Sequence, residues 1–185
     1  MDAEIVSLVV SPVRRMQGRP GEPMTPYDGD EHPASARIRA NRGIVGDRYF
    51  GTRFPRAAVT IIAAEQIEWL EREIAGDGLF PLPNAPFDPA LARRNVVTRG
   101  VDVDALLHTT FTLDAGHGPI RFRSLTAASP CGWMNDVFAP GAHKALRGRG
   151  GIRCEPLDDG EISIGPASIG DVAPVPADQL RRRIW

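Results

Sequence analysis

Short apolar and alternating stretches recur along the chain, and Pro, Gly and Asp residues separate them. Apolar runs of about four to eight residues between such turn signals are typical of β-strands. The pattern predicts strands at residues 4–10, 36–44, 57–62, 93–100, 109–114, 120–125, 151–157, 161–164 and 169–175. We expect two hairpins, one turning through residues 115–118 and one across residues 158–160.

One stretch has the spacing of an amphipathic helix. Within residues 63–74, Ile67, Leu70 and Ile74 recur at intervals of three and four, and acidic side chains fill the opposite face. Shorter amphipathic runs are expected to be helical at residues 133–138 and 141–146. Many short strands with one long helix predict a mostly β fold, an antiparallel β-barrel with a few peripheral α-helices.

The length of 185 residues suits one domain with a full core, and we expect a single domain over residues 1–185. Residues 14–33 are rich in Pro, Gly and Asp, which indicates a long surface excursion. The Pro- and Gly-rich residues 76–90 are interpreted as an exposed insertion, and residues 177–185 as a polar tail.

Composition and charge argue against several classes of protein. The longest apolar runs are too short to span a bilayer, and Arg14 and Arg15 follow the first apolar run, the reverse of a signal peptide. A cytoplasmic protein without a membrane partner is therefore predicted. The net charge of −1 gives no overall field that would recruit nucleic acid. The four histidines lack metal-ligand spacing, and the glycines match no nucleotide-binding motif.

The two cysteines have different surroundings. Cys154 alternates with Ile152 and Pro156, so it is expected to pack as a small core side chain. Cys131 lies between Pro130 and Gly132 in a turn ahead of an expected helix. An inert, half-buried thiol is one interpretation of Cys131. The alternative is a thiolate that acts as a nucleophile, carries a persulfide or binds a soft metal.

A cationic segment precedes one predicted strand. Arg93, Arg94, Asn95 and Arg99 form either a solvated strand edge or a site that holds a phosphate or carboxylate. Guanidinium and amide groups offer several donors to such an anion.

Two further positions are ambiguous. Arg149 follows a helix C-terminus, so it either holds an anion through its guanidinium or belongs to a plain helix end capped by Gly148. Asp47 and Arg48 either form a turn with a local ion pair, or the Asp47 carboxyl is an acid that faces the site.

Together these motifs resemble the MOSC domain, named for the C-terminal part of molybdenum cofactor sulfurases. The matching stretches are GIVGDRYFG at 43–51, RNVVTRG at 94–100, Pro-Cys at 130–131, PGAHKALRGRGG at 140–151 and DGEISIG at 159–165 with Gly-Asp at 170–171. Their order and spacing cover nearly the whole chain, from about residue 4 to residue 175.

The resemblance implies a barrel-like β fold and a role in sulfur or molybdenum cofactor chemistry. By this resemblance Cys131 is the signature cysteine, which either carries sulfane sulfur or ligates molybdenum. Arg93, Arg94 and Asn95 match the segment that lies against the pterin-phosphate side of the cofactor, and Ser129 could add a hydroxyl contact.

The chain departs from the family pattern before the cysteine. Many relatives have a glutamate there, whereas this chain has Ala127, Ala128 and Ser129. If that acid assists proton transfer, Asp47 would have to replace it. Pyridoxal phosphate is not expected, because it belongs to the separate desulfurase domain of the fused enzymes.

The residues and the family resemblance together indicate three alternative functions. The first is an enzyme that binds molybdenum cofactor (molybdopterin) through Cys131 and reduces N-hydroxylated small molecules with electrons from a partner protein. The second is a sulfur carrier that takes a persulfide sulfur from a cysteine desulfurase. The third is a regulatory domain that binds an anion and lacks the chemistry.

Overall fold

A computed structural model describes residues 1–76, 82 and 84–180 of the chain. In these residues the chain forms ten strands, four helices and three 3₁₀ turns. The strands are β1 (Asp2–Leu8), β2 (Ser35–Arg39), β3 (Gly43–Ile44), β4 (Val59–Ala63), β5 (Val96–Arg99), β6 (Thr109–Asp114), β7 (Ile120–Ala127), β8 (Ile152–Pro156), β9 (Gly160–Ser163) and β10 (Gly165–Pro174). The helices are α1 (Ala64–Ala75), α2 (Met134–Val137), α3 (Ala142–Ala145) and α4 (Ala177–Leu180). The 3₁₀ turns are Pro55–Ala57, Pro89–Ala92 and Asp104–Leu106.

Seven strands close into a barrel in the order β1-β10-β6-β7-β8-β4-β5, with β5 returning to β1. The pairs are antiparallel except that β4 and β5 run parallel. Because α1 directly follows β4, the chain crosses over the outside of the barrel before it returns as β5. The predicted mostly β fold with an antiparallel barrel is confirmed, with this one parallel pair as the exception.

Alternation along the strands fills the barrel with apolar side chains. Phe111 on β6 and Phe122 on β7 stack with ring centroids 5.7 Å apart, and Ile5, Ile61 and Ile152 are fully buried in the same cluster. The strand predicted at residues 109–114 coincides with β6, whereas that predicted at 4–10 lies two residues earlier, as β1.

A separate three-stranded sheet has the order β3-β2-β9. The single strand predicted at residues 36–44 is wrong, because the chain turns between β2 and β3 with Asn41 at a φ of 56°. Such a left-handed conformation cannot continue a strand. Ile38 and Ile162 of this sheet pack into the barrel core.

The hairpin predicted across residues 158–160 is also wrong. β8 pairs with β4 and β7 inside the barrel, whereas β9 pairs with β2. Asp159 explains the change of partner, because its carboxylate accepts bonds from the Ala40 N–H at 2.8 Å and from Arg39 at 2.7 Å. The turn therefore joins the two sheets.

The helices form a layer outside the barrel. The helix predicted at residues 63–74 is confirmed as α1, one residue later, with Ile67 and Leu70 buried. These side chains share a second apolar cluster with Trp133 and Phe138 of the α2 region and Leu146 after α3.

The structure describes part of the predicted 76–90 insertion. Residues 77–81 and 83 lie outside the described part of the chain. Phe87 is 5% exposed, packs against Phe138 with tilted rings whose centroids are 5.1 Å apart, and donates its N–H to Glu71 at 2.6 Å. This end of the predicted insertion is therefore packed onto the helical layer and is not exposed throughout.

The predicted polar tail begins with α4, and its residues 181–185 lie outside the described residues. Among the helices that the structure describes, none is both long enough and apolar enough to cross a bilayer.

Candidate active site

A small pocket lies where the end of β1, the loop after β3, the residues before β5 and strand β8 meet. It has a volume of about 60 Å³. Its charged lining residues are Asp47, Arg48, Arg93, Arg94 and Arg153, and we call it the cationic pocket. Four arginines face one aspartate, so the pocket favours an anionic ligand.

Arg94 connects the cationic pocket to the turn that carries Cys131. The partners of its guanidinium are all backbone carbonyls: Gly150 at 2.9 Å, Ala128 at 2.8 Å, Ala92 at 3.2 Å and Ser129 at 3.3 Å. Two of these carbonyls lie just before Cys131 in the chain. Arg94 therefore fixes the backbone that leads into the cysteine, and its positive charge has no carboxylate partner among the described residues.

The pKa of Arg94 agrees with a positive charge that no neighbouring carboxylate among the described residues neutralises. The pKa of the Arg94 guanidinium is lowered to about 10, chiefly by burial and then by the charge of Arg153. The Cys131 sulfur acts in the opposite direction, and the charge of Arg48 adds to the lowering. Cys131 thus lies within electrostatic range of a cationic pocket whose excess charge would be relieved by a bound anion.

Two glycines allow close packing around the backbone that leads into Cys131. A Cβ on Gly150 would collide with the Ala128 carbonyl, and a Cβ on Gly151, which has a φ of +81°, would collide with the Ile61 carbonyl. The Gly151 carbonyl also accepts the Ala128 N–H at 2.8 Å. The Gly-Gly sequence is therefore required by close backbone packing, and it supports the Cys131 turn.

Cys131 itself is exposed and has a free thiol. The helix expected at residues 133–138 is present as α2, which begins at Met134, and the Met134 N–H bonds to the Cys131 carbonyl at 3.0 Å. Gly132 lies under the surface excursion, because a Cβ there would come within 2.7 Å of Pro20.

The prediction for Cys154 is confirmed. Its side chain is fully buried in the barrel core, and burial raises the pKa of its thiol. Only Cys131 of the two thiols is open to solvent.

Arg93 adopts a left-handed φ of 57°, so β5 begins three residues later than the predicted strand. Its guanidinium forms two bonds to Glu31, at 2.6 and 3.1 Å, and Arg15 approaches the same carboxylate at 2.6 Å. Burial would raise the pKa of Glu31, but hydrogen bonds from Arg93 and Ser11 and the two arginine charges outweigh it and lower the pKa. Glu31 thereby neutralises part of the pocket wall.

Asn95 is buried and all its amide groups have partners. Its Oδ1 accepts from the Thr60 N–H at 3.0 Å and the Thr60 hydroxyl at 2.9 Å. Its Nδ2 donates to the Val9 carbonyl at 3.1 Å and to Asp47 at 3.0 Å. In this arrangement Asn95 orients Asp47 and does not present free donors to an anion.

Asp47 is the acid of the cationic pocket. Besides Asn95, its carboxylate accepts the Tyr49 N–H at 2.9 Å and the Ser11 N–H at 3.4 Å. Burial raises the pKa of Asp47 despite these bonds and despite the charge of Arg48. The Arg48 guanidinium lies over the Tyr49 ring, 4.9 Å from its centroid, instead of forming the predicted close ion pair.

The other predicted site residues are distributed differently. Ser129 is exposed, and its carbonyl, not its hydroxyl, contacts Arg94. Arg99 pairs with Glu68 on the barrel exterior. Arg149 lies over the Trp69 ring of α1, 4.1 Å from its centroid. Neither Arg99 nor Arg149 is among the described residues that line the cationic pocket.

Sequence reasoning missed Arg153 and Glu31. Arg153 alternates with the buried Ile152 and Cys154, so the alternation could have placed it on the opposite face of the strand. Glu31 gave no local signal, because its partners are 16 and 62 residues away.

The comparisons with known proteins agree with this architecture. The family model for the MOSC domain matches residues 37–167. The crystal structure of the YuaD protein from Bacillus subtilis superposes with a TM-score of 0.67 at 17% identity, over 95% of this chain and 98% of that one. YiiM from Geobacillus stearothermophilus superposes with a TM-score of 0.58 at 16% identity, over 91% of this chain and 75% of that one. For YiiM from Escherichia coli the TM-score is 0.53 at 18% identity, over 91% and 70%. No curated protein sequence is significantly similar to the chain.

Proposed function

This chain belongs to the MOSC domain family, and we propose that it binds molybdenum cofactor with Cys131 as a thiolate ligand of the metal. The observation that carries the proposal is the Arg94 guanidinium, which is partly buried, lacks a carboxylate partner among the described residues and fixes the turn of an exposed thiol. A positive pocket joined to a soft sulfur ligand suits a group that combines a phosphate with a metal.

The residues fit such a group. A volume of about 60 Å³ gives room for one group the size of a phosphate, which Arg48 and Arg153 could hold while Arg94 supplies a further, partly buried positive charge. In the described part of the chain, no cluster of three or more His, Cys, Asp or Glu side chains could hold a metal ion. A metal at Cys131 would take the Cys131 thiolate as a protein ligand, and the pterin would supply others.

The reaction we propose is the reduction of an N-hydroxylated compound. It consumes two electrons and two protons, breaks the N–O bond and releases the amine-type product and water. The bound cofactor would supply the two-electron redox change, and a separate electron-transfer protein would replenish the electrons. The chain's own residues would bind the cofactor, hold the Cys131 turn and deliver a proton.

Asp47 is the proton donor in this proposal. Because burial raises the pKa of Asp47, its carboxyl keeps a proton to higher pH than an exposed aspartate does. The active form is the protonated one, so the rate should fall as the pH rises through this raised pKa. Asp47→Asn should lose that pH dependence together with most of the activity, measured as initial rate against pH with the cofactor bound.

Metal and pterin content tests the proposal directly. The protein would be purified from cells with intact cofactor synthesis and analysed for molybdenum by mass spectrometry and for pterin by fluorescence. Wild type should contain both, and Cys131→Ser should lose the metal. Cys154→Ala is the matched control, because it removes the buried thiol. A wild-type protein free of both molybdenum and pterin would refute cofactor binding.

The exposure of Cys131 also favours a second candidate, a sulfur carrier. Here the Cys131 thiolate attacks the outer sulfur of a persulfide on a cysteine desulfurase. A Cys131 persulfide forms, and the donor leaves as a thiolate, without net oxidation. Intact mass after incubation with a desulfurase and cysteine should show one added sulfur atom in wild type and Cys154→Ala. If Cys131→Ser gains the sulfur equally, this candidate fails.

A further inference from the structure

A second concave site lies on the C-terminal side of the Cys131 turn. It is a groove of about 500 Å³ between α2, the middle of the surface excursion and the residues before β5. We call it the α2 groove. Its walls are mainly apolar, and the lining residues with large apolar side chains are Met24, Leu91, Trp133 and Val137. This volume is within the range of sites for small organic molecules.

Three carboxylates also line the α2 groove: Glu22, Asp88 and Asp136. Each has one oxygen held by a backbone N–H. These donors are Arg19 for Glu22 at 3.0 Å, Ala90 for Asp88 at 2.8 Å and Gly21 for Asp136 at 2.7 Å. The bonds fix the carboxylates in place and leave the second oxygen of each as an acceptor.

The negative charge of the α2 groove is uncompensated in the described part of the chain. Within that part, none of the three carboxylates takes part in an ion pair, and no Arg, Lys or His lines the groove. A neutral apolar ligand would form no ion pair with these carboxylates, and an anion would be repelled by them.

The walls are held in place before any ligand binds. Trp133 is 5% exposed and packs in the helical layer. The Asn84 side chain donates to the Val137 carbonyl at 3.3 Å and to the Phe138 carbonyl at 3.0 Å, which ties the segment before β5 to the end of α2. A preformed apolar site loses less entropy on binding than a mobile one.

We propose that the α2 groove binds a small organic cation with a flat, apolar body. The apolar walls bury the body, and the three carboxylates accept its charge and N–H groups. Trp133 lies two residues after Cys131, so the groove is placed to hold the substrate for chemistry at the thiol. That last role rests on the proposed function, whereas binding of the cation does not.

The test measures binding separately from any reaction. Isothermal titration calorimetry would use the Cys131→Ser full-length protein and three probes that share one ring system: 2-naphthylmethylammonium, 2-naphthylmethanol and 2-naphthoate. The cation should bind about tenfold more tightly than the alcohol, as expected for a few partly exposed charge contacts, and the carboxylate should bind most weakly. Because the variant lacks the thiol, failure of the metal site leaves this result unaffected.

Substitutions would locate the site. Glu22→Gln, Asp88→Asn and Asp136→Asn each keep an oxygen for the backbone N–H but remove the charge. Each should weaken the cation by about twofold to fivefold, the range of exposed ion pairs, and leave the alcohol unchanged. The triple variant should bind cation and alcohol alike. Glu73→Gln, on the exposed side of α1, is the matched control and should bind like the parent.

Several outcomes would overturn the proposal. Equal binding of the ammonium and carboxylate probes would show that the charge has no role, and an unchanged triple variant would place the cation elsewhere. Absence of binding by all three probes would rule out a small-molecule site. If sedimentation shows a dimer that the triple variant dissociates, a second copy of the chain occupies the groove instead.

Discussion

The cationic pocket and the α2 groove flank the same turn and carry opposite charge. The pocket contacts the residues before Cys131 through Arg94, whereas the groove begins at Trp133 just after it. The pocket is small and polar, and the groove is larger and mainly apolar. Under the two proposals, an anion would bind on one side of the thiol and an organic cation with an apolar body on the other.

The two sites also differ in how their charge is balanced. In the pocket, Arg93 is paired with Glu31, which also pairs with Arg15 outside the pocket lining, so part of the positive charge is structural. Among the described lining residues, Arg94, Arg48 and Arg153 remain for a ligand. In the groove, backbone N–H groups hold the carboxylates without reducing their charge. Substitutions can therefore separate the charges that hold the fold from those that select ligands.

The largest effect is expected for Glu31→Gln. The variant leaves Arg93 and Arg15 without their buried carboxylate, so unfolding free energy at neutral pH should fall by about 3 kcal/mol. Because the pKa of Glu31 is lowered, this stabilisation is present above the ordinary value of 4.5 and is lost as the pH falls through the lowered value. Urea unfolding at pH 7 and at acidic pH would measure both.

The control for this prediction is Glu22→Gln, a carboxylate of the α2 groove. It should change the stability by a few tenths of a kcal/mol at most, as for exposed charges. Equal losses in the two variants would contradict the distinction between structural and ligand-selecting charge.

The next largest effect is expected for Arg94→Met. The variant removes the donors to the carbonyls around the Cys131 turn, and about 2 kcal/mol of stability should be lost because buried acceptors are left unsatisfied. The turn should also loosen, so Cys131 should react faster with a thiol reagent. Arg94→Lys is the control, since it keeps a charge but cannot make the four bonds. Full rescue by lysine would show that the charge alone matters.

A smaller effect is expected from inorganic phosphate. An anion that binds only the folded protein, and is present at about ten times its Kd, should raise the free energy of unfolding by about 1.4 kcal/mol. Arg153→Gln should reduce this gain, measured as the shift in thermal unfolding temperature, because Arg153 lines the cationic pocket. Arg147→Gln should not, because Arg147 is exposed and is not among the described residues that line that pocket. The triple carboxamide variant of the α2 groove should keep the full phosphate response. A loss there would show that the two sites are not separate.

Much of the fold could be predicted from the local pattern. Alternation identified β6 to the residue and placed Cys154 in the core, because a strand shows its buried face in its own sequence. The partner of β9 could not be predicted in this way. That pairing depends on β2, over 120 residues away in the chain, and on the Asp159 carboxylate that bonds to Ala40.

The candidate site shows the same division. Cys131 and the arginine segment could be found from residue type and order, but the separate roles of Arg93, Arg94 and Asn95 could not. These three neighbours point to a carboxylate, a set of backbone carbonyls and an aspartate respectively. A left-handed residue at Arg93 and long-range partners decide those directions, and neither leaves a mark in the adjacent sequence.

The contrast between an exposed Cys131 and a buried Cys154 has a practical consequence. A maleimide dye or a nitroxide added to the unmodified protein will attach at one known atom, without engineered cysteines. That label would lie at the turn between the cationic pocket and the α2 groove, so a change in its spectrum would report a ligand that binds at either site. The native chain is in this sense already a single-site reporter.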